Sequence, residues 1–287
     1  MNFSQRMGLE PTELPLQIDC MSDVLRNSLW NFILSHTKGG EWQSLLKLSY
    51  QHFLYLPVDE APKPFIGYSS SNDSCCHDDL KSKYFGLKWN QVYDFLEFYI
   101  TVLSLPFRSD EWQWQKEYKQ IEWSLNFVLD RGHSGFRMVE GLFAPITDEN
   151  ELNAVRDALT SAKSKHGNIH THLKDAIKFL GEKPTPNYRN SIKESISAVE
   201  GLCKMLTNEK SGGIDTAIEK LAKQIEMHPA MKEGFKKLYD YTSDEDGIRH
   251  PILDEATVGL AEAKYMLVTC SAFVYFVIMK LPPEEAH

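Results

Sequence analysis

The chain is short of cysteine and of positive charge. Its 287 residues include 5 cysteines, 31 lysines and arginines, and 40 aspartates and glutamates, which gives a formal net charge of −9. Five cysteines are too few for the disulfide framework of a small secreted domain, and their odd number would leave one unpaired. We therefore expect reduced thiols. The acidic surplus argues against a protein that coats nucleic acid nonspecifically, because such binding needs clustered lysine and arginine. Any contact with RNA must therefore be local.

Several catalytic motifs are absent as well. The sequence contains no glycine-rich phosphate loop, no G-x-S-x-G turn and no protein-kinase signature. Each of these motifs positions a phosphate or a nucleophile through a defined backbone turn. We therefore do not expect serine catalysis or nucleotide hydrolysis of the usual kinds.

Long apolar runs are scarce. The N-terminus lacks the apolar stretch of a secretory signal, and only residues 265–281 are apolar enough to be considered as a membrane span. Their length of about 17 residues is below the roughly 20 that a spanning helix needs. We therefore expect a buried helix, at the centre of a bundle or in a dimer interface, and a cytoplasmic protein without a membrane partner.

Apolar residues recur at three- and four-residue steps, which is the spacing of amphipathic helices. We predict a mainly α protein with helices at 22–36, 41–54, 89–103, 110–129, 148–163, 168–180, 187–206, 213–226, 229–239 and 256–281. Residues 58–86 are rich in Pro, Ser, Asn and Asp and predict a long surface loop.

Two short apolar runs in residues 136–146 flank Glu140 and Gly141. Glycine tolerates the positive φ of a tight turn, so this segment predicts a small β-hairpin. A capping sequence follows at 147–151 and starts a new helix. We therefore divide the chain into an N-terminal helical domain (1–135), a hairpin junction (136–147) and a C-terminal helical bundle (148–287).

Arg249 and His250 lie in an acidic turn directly before the last apolar helix. A guanidinium can hold a phosphate through two parallel hydrogen bonds, and an imidazole can take a proton from a ribose 2′-hydroxyl or give one to a leaving oxygen. The pair is thus a candidate for metal-free RNA cleavage. The alternative is that the acidic residues 244–246 form a turn-stabilising salt bridge with Arg249.

A second polar group lies at the start of the helix predicted at 187–206. Backbone N–H groups favour an anion there, so Arg189, Asn190 and Lys193 are candidate substrate-binding residues. Glu194 adjoins the apolar stripe of the same helix and is a candidate catalytic acid. The alternative is an ordinary capped and solvated first turn.

Two histidine-containing groups have residue types that bind metals. His166, His170 and His172 form an H-x3-H-x-H run, but a glycine interrupts their helical spacing and no carboxylate or thiolate partner is evident. Residues 75–77, Cys-Cys-His, lack a fourth ligand. We expect no metal and no cofactor.

The helix predicted at 110–129 is rich in aromatic residues, namely Trp112, Trp114, Tyr118, Trp123 and Phe127. Because each tryptophan buries a large area, we expect this helix to pack in a core. The alternative is a nucleic-acid surface, since aromatics interleaved with Lys116 and Lys119 can stack bases.

Three segments, YRNSIKESISAVE, YTSDEDGIRH and AEAKYMLVTCSAFV, resemble the HEPN domains of bacterial abortive-infection proteins. The HEPN-like part runs from about residue 187 to 278, and the first half looks like the N-terminal domain of abortive-infection proteins of the AbiJ type. The resemblance implies a homodimeric helical bundle that cuts RNA without a metal in defence against phage.

HEPN ribonucleases use an arginine followed four to six residues later by a histidine, with a polar residue directly after the arginine. Arg249 matches the arginine and His250 the polar neighbour, whereas residues 254–256 are Asp, Glu and Ala. Either His250 takes over the proton transfer, with Glu194 or Lys193, or the domain is a non-catalytic module that binds a protein or a nucleotide. A third alternative is a structural oligomer held by the last helix.

Overall fold

The computed structural model describes residues 3, 7, 15–38, 41–63, 65–66, 71–72, 74–107, 110–163, 166–182, 186–209, 214–243 and 258–281. These residues are mainly helical, which confirms the predicted fold class. The chain divides into two compact units, Met1–Phe143 and Ala144–His287. The division falls inside the segment predicted as a hairpin junction.

The first unit has five α-helices in its described part: α1 (Asp23–His36), α2 (Trp42–Ser49), α3 (Ser74–Gly86), α4 (Trp89–Ser104) and α5 (Glu111–Arg131). Shorter elements join them: a π-helical turn (Tyr50–Leu54), two 3-10 turns (Val58–Glu60 and Leu105–Phe107) and the antiparallel strands β1 (Phe65–Ile66) and β2 (Ser71–Asn72).

Helix α3 lies in the segment that the sequence predicts as a loop, so that prediction is wrong. Cys76, Leu80 and Tyr84 recur every four residues and are almost completely buried. One narrow apolar stripe stabilises a helix once it packs against a core, even when the other residues are polar. The Tyr84 hydroxyl donates to the Arg26 carbonyl (3.1 Å), which ties α3 to α1.

Helix α5 has two different aromatic faces. Its core face buries Tyr118, Ile121, Leu125 and Leu129. By contrast, the side chains of Trp112, Trp123 and Phe127 are 77%, 69% and 51% exposed. The prediction that the aromatics pack in a core is therefore right for Tyr118 and wrong for these three, because only one stripe of a surface helix can face the core.

A β-hairpin follows α5, as predicted, and is formed by strands β3 (Arg137–Val139) and β4 (Leu142–Ala144). Its turn places Glu140 at φ 49° and Gly141 at φ 83°, the left-handed region that a two-residue hairpin turn requires. The Asn126 side chain accepts from the Met138 N–H (2.7 Å) and donates to the Met138 carbonyl (2.9 Å). The hairpin is thereby held against α5.

The second unit has six helices in its described part: α6 (Glu149–Lys163), α7 (Gly167–Gly181), α8 (Tyr188–Thr207), α9 (Ile214–Gln224), α10 (Pro229–Ser243) and α11 (Leu260–Lys280). Each corresponds to a predicted helix. Cys203 of α8 and Cys270 of α11 are completely buried, as expected for core thiols.

Helix α11 is, of the described helices, the one long and apolar enough to cross a membrane, with a mean hydropathy of 1.4. In this structure 44% of that apolar stretch is buried. The helix packs against α6 and α8, and the Lys264 ammonium donates to the Glu151 carboxylate of α6 (2.7 Å). One face of α11 is thereby packed against the other helices of the bundle.

Candidate functional site

Helices α7 and α8 form an antiparallel hairpin with one defined register. The Asn187 N–H donates to the Phe179 carbonyl (3.0 Å), and the Ser191 hydroxyl donates to the Ala176 carbonyl (2.8 Å). Farther along, a Cβ added to Gly201 would lie 3.0 Å from a side chain of α7, so a glycine permits the close approach. The register decides which polar side chains meet across the two helices.

In this register, His172 of α7 meets Glu194 of α8. The imidazole Nδ1 lies 2.6 Å from the carboxylate Oε2. The side chains are 38% and 20% exposed, respectively, so the pair is neither sealed in the core nor fully solvated. A contact of this length is a strong hydrogen bond, because one partner carries a full charge.

The carboxylate also sets the chemistry of the imidazole. When the ring is neutral, the Nδ1–H donates to Glu194 and the Nε2 lone pair is available to accept a proton. Within the described part of the chain, His172 Nε2 makes no hydrogen bond. A histidine oriented by a carboxylate in this way is suited to general acid–base catalysis.

The candidate substrate-binding residues do not all share the face of Glu194. Asn190 lies one helical turn before Glu194, whereas Arg189 lies about 140° away around the helix axis. The Asn190 N–H donates to the Asn187 side chain (3.1 Å), which caps α8. The capped first turn is thus present, and one N–H group that we expected to attract an anion is already bonded. Lys193 is exposed.

The candidate catalytic residues Arg249 and His250 lie outside the described residues, as do the positions 254–256 that follow them. Their predicted roles therefore stay predictions. Glu194 is the catalytic candidate whose surroundings are described.

The histidine run and the Cys-Cys-His segment have other partners. His172 binds Glu194, and the Cys76 thiol lies 3.4 Å from the Pro62 carbonyl, to which it donates. His77 packs edge-on against Trp42, with ring centroids 4.9 Å apart. In the part of the chain that the structure describes, no three His, Cys, Asp or Glu side chains are grouped to hold a metal ion.

The sequence does not predict the contact between His172 and Glu194, because its pattern groups His172 only with the other histidines. The proline-containing break between the two predicted helices indicates a helical hairpin. It does not give the register, however, and a shift of one residue along either helix turns its side chains by about 100°.

Comparison with family models matches residues 1–161 to the AbiJ N-terminal domain 4. The chain belongs to this family. The match includes the whole first unit and continues into α6. It connects this AbiJ-type protein with abortive infection, as the resemblance of the sequence implies. No curated protein and no solved structure matches the chain significantly.

Proposed function

We propose that this AbiJ-type protein is an anti-phage defence ribonuclease whose C-terminal bundle is HEPN-like and cleaves RNA without a metal. Two observations support the proposal. The AbiJ domain links the chain to abortive infection, and the bundle carries a partly exposed histidine–carboxylate pair suited to proton transfer.

The contact between His172 and Glu194 is the observation that carries the proposal. Cleavage through the 2′-hydroxyl needs a base that removes its proton and an acid that protonates the departing 5′-oxygen. The sequence has His250 beside Arg249 but no histidine at the downstream positions of the HEPN pattern. His172, oriented by Glu194, is a second imidazole in the same bundle.

In the proposed reaction Arg249 holds the scissile phosphate. One of the two histidines, His250 and His172, takes the proton from the 2′-hydroxyl, and the other gives a proton to the departing 5′-oxygen. The 2′-oxygen forms a bond to phosphorus while the bond from phosphorus to the 5′-oxygen breaks. The products are a 2′,3′-cyclic phosphate and a free 5′-hydroxyl. Neither oxidant nor cofactor takes part, and Arg189, Asn190 and Lys193 contribute to binding the RNA backbone.

The outer face of α11 supports a homodimer. Tyr265 and Met279 are 59% and 63% exposed, and Ala272, midway between them, is exposed as well. These residues are seven positions apart, the spacing of a seam between two packed helices. The same face favours the second candidate function, a non-catalytic module that binds another copy or another protein.

RNA cleavage by the purified protein in excess chelator tests the proposal. We expect wild type to produce cyclic-phosphate ends, and Arg249→Ala, His250→Ala, His172→Gln and Glu194→Gln to lose most of this activity. His52→Gln, which changes an exposed histidine of the first unit, is the matched control and should retain it.

Circular dichroism and sedimentation would establish that each variant is folded and whether it is dimeric. Chelator-resistant cleavage that survives all four substitutions would assign the activity to a contaminant. A folded, dimeric wild type that does not cleave RNA would favour the binding module instead, provided that protein purified from phage-infected cells is inactive as well.

A further inference from the structure

One surface of α5 has no role in the proposed reaction. It consists of Trp112, Lys116, Lys119, Trp123, Phe127 and Arg131, and we call it the outer α5 face. At about 100° per residue these side chains lie on one side of the helix, opposite the stripe that contains Leu125 and Leu129. Along the axis the order is aromatic, two cations, two aromatics and a cation.

The exposure of its aromatic residues is unusual. Trp112 is 77% and Trp123 69% exposed, although tryptophan is highly buried on average. A single exposed apolar side chain needs no explanation, but several large ones on one face indicate a binding surface. Core packing does not require these residues, because the opposite stripe already covers the core of the first unit.

Two of these rings are nearly parallel to each other. Trp123 and Phe127 are stacked, with centroids 5.8 Å apart and planes inclined by 15°. The Arg131 guanidinium lies 5.7 Å from the Phe127 centroid. Trp112 is about 16 Å from Trp123 along the helix axis, at 1.5 Å per residue. Flat rings and a guanidinium plane offer surfaces on which bases can stack.

The charge of this face selects the partner. Lys116, Lys119 and Arg131 are exposed, and none forms an ion pair with a described carboxylate. Asp130 is an acidic neighbour on this side; its side chain is 73% exposed, and its carboxylate pairs with the Arg137 guanidinium at 2.6 Å. In a chain with a formal net charge of −9, this face is a local positive surface. A polyanion is the complementary partner.

We propose that the outer α5 face binds a single-stranded polynucleotide, with bases stacked on the two tryptophans and phosphates beside Lys116 and Lys119. Stacking requires unpaired bases, and every base has a face that can stack. A duplex presents phosphates to the cations of this face, but its bases are paired and cannot stack on the aromatic rings. The proposal does not depend on the proposed RNA cleavage.

Binding of a short, unstructured oligonucleotide to the full chain, followed by fluorescence anisotropy, is the direct test. Single-stranded DNA serves as one probe, because it lacks the 2′-hydroxyl and cannot be cut by the proposed reaction. Single-stranded RNA of the same length shows whether ribose matters, and a duplex shows whether unpaired bases are needed. We expect both single strands to bind more tightly than the duplex.

The paired variant Trp112→Ala/Trp123→Ala should lower the affinity at least tenfold, since each stacked base contributes substantially. Lys116→Gln/Lys119→Gln should lower the dependence of log affinity on log salt by about 1.4, at about 0.7 per phosphate contact. The matched controls are Tyr55→Asn, at an exposed aromatic in the same unit, and Lys47→Gln, at an exposed lysine. Both should bind like wild type.

Three results would overturn the inference: no binding by folded wild type, equal affinity for duplex and single strand, or binding that the tryptophan and lysine variants leave unchanged. If the tryptophan variant instead converts a dimer to a monomer in sedimentation, the face is an interface between two copies. Because DNA binding is read without cleavage, an inactive nuclease does not affect this test.

Discussion

The Oε2 atom of Glu194 lies 2.6 Å from Nδ1 of His172, so a carboxylate on α8 orients an imidazole on α7. Both side chains are partly exposed, and such pairs contribute little to stability. If the pair serves catalysis instead, its removal will affect activity far more than folding.

We therefore predict that Glu194→Gln lowers the free energy of unfolding by less than about 1 kcal/mol. The same substitution should slow chelator-resistant RNA cleavage by a factor of about 10² or more. Urea unfolding and initial cleavage rates on the same preparation give both quantities.

Glu200→Gln is the matched control for Glu194→Gln. Glu200 lies on the same helix and accepts from Lys204 at 2.8 Å, and these two side chains are 22% and 35% exposed. Its stability effect should be similar, with no effect on cleavage. Equal activity of the two variants would mean that the His172–Glu194 contact is only structural.

The helices of the second unit were predictable because their apolar stripes are wide and regular. Helix α3 was not, because Cys76, Leu80 and Tyr84 form a single narrow stripe in a polar segment and gain their stability from contacts distant in sequence. The hairpin was predictable from Gly141, since few residues adopt its φ of 83°.

The candidate site was only partly predictable for a related reason. Glu194 stands out as an acid beside an apolar stripe, but its partner is 22 residues earlier in the chain. Only the register of α7 against α8 brings His172 to it. The outer α5 face was seen as an aromatic pattern, yet which of its rings are buried depends on the angle at which the helix packs.

Gly201 allows us to test the packing of the hairpin. In place of glycine, an alanine Cβ would lie 3.0 Å from Ile169 Cδ1, which is tighter than ordinary contact. The alanine gains about 1 kcal/mol of helix propensity, but overpacking costs about 1 to 3 kcal/mol. We expect Gly201→Ala to be neutral or destabilising in the wild-type background.

In an Ile169→Val background the Cδ1 atom is gone, so Gly201→Ala should raise the free energy of unfolding by about 1 kcal/mol. A double-mutant cycle in urea measures the coupling between the two positions. Strict additivity would mean that the Ile169 Cδ1 atom does not clash with the added Cβ.

Alkaline pH should destabilise the first unit through its buried phenols. Burial raises the pKa of Tyr84 above its ordinary range and raises the pKa of Tyr93 to about 12. In the unfolded chain the phenol of a tyrosine ionises at about pH 10. Above that pH the unfolded state loses protons that the folded state keeps, so stability falls as pH rises.

The expected loss is up to about 1.4 kcal/mol per pH unit for each such tyrosine, between about pH 10 and the pKa in the folded state. Urea midpoints at about pH 8 and about pH 11 provide the comparison. Tyr93→Phe removes one titrating group and should flatten the alkaline slope, whereas substitution of the exposed Tyr55 by Phe should not. A midpoint independent of pH in this range would contradict the prediction.

The two core thiols of the second unit should be inert in the folded protein. Burial raises the pKa of Cys203 to about 12 and also raises the pKa of Cys270, and the thiolate is the reactive form. Cys20 is exposed. A maleimide at neutral pH should therefore modify Cys20 first and reach Cys203 and Cys270 only when the protein unfolds. Peptide mass mapping measures which cysteines are modified. Rapid modification of Cys203 would mean that α8 opens in the native state.

Arg137 should contribute more to stability than any surface ion pair, because it is 4% exposed and makes three hydrogen bonds. It donates to the Ser134 carbonyl at 2.8 Å, to the Phe136 carbonyl at 2.9 Å and to Asp130 at 2.6 Å. Arg137→Ala leaves two buried carbonyls without this donor, so we expect the free energy of unfolding in urea to fall by about 2 to 4 kcal/mol.

Asp130→Ala should cost only about 1 kcal/mol, since its carboxylate is mostly solvated and the two carbonyls keep their donor. Equal losses would instead indicate that the ion pair, and not the carbonyl contacts, holds the start of the hairpin against α5.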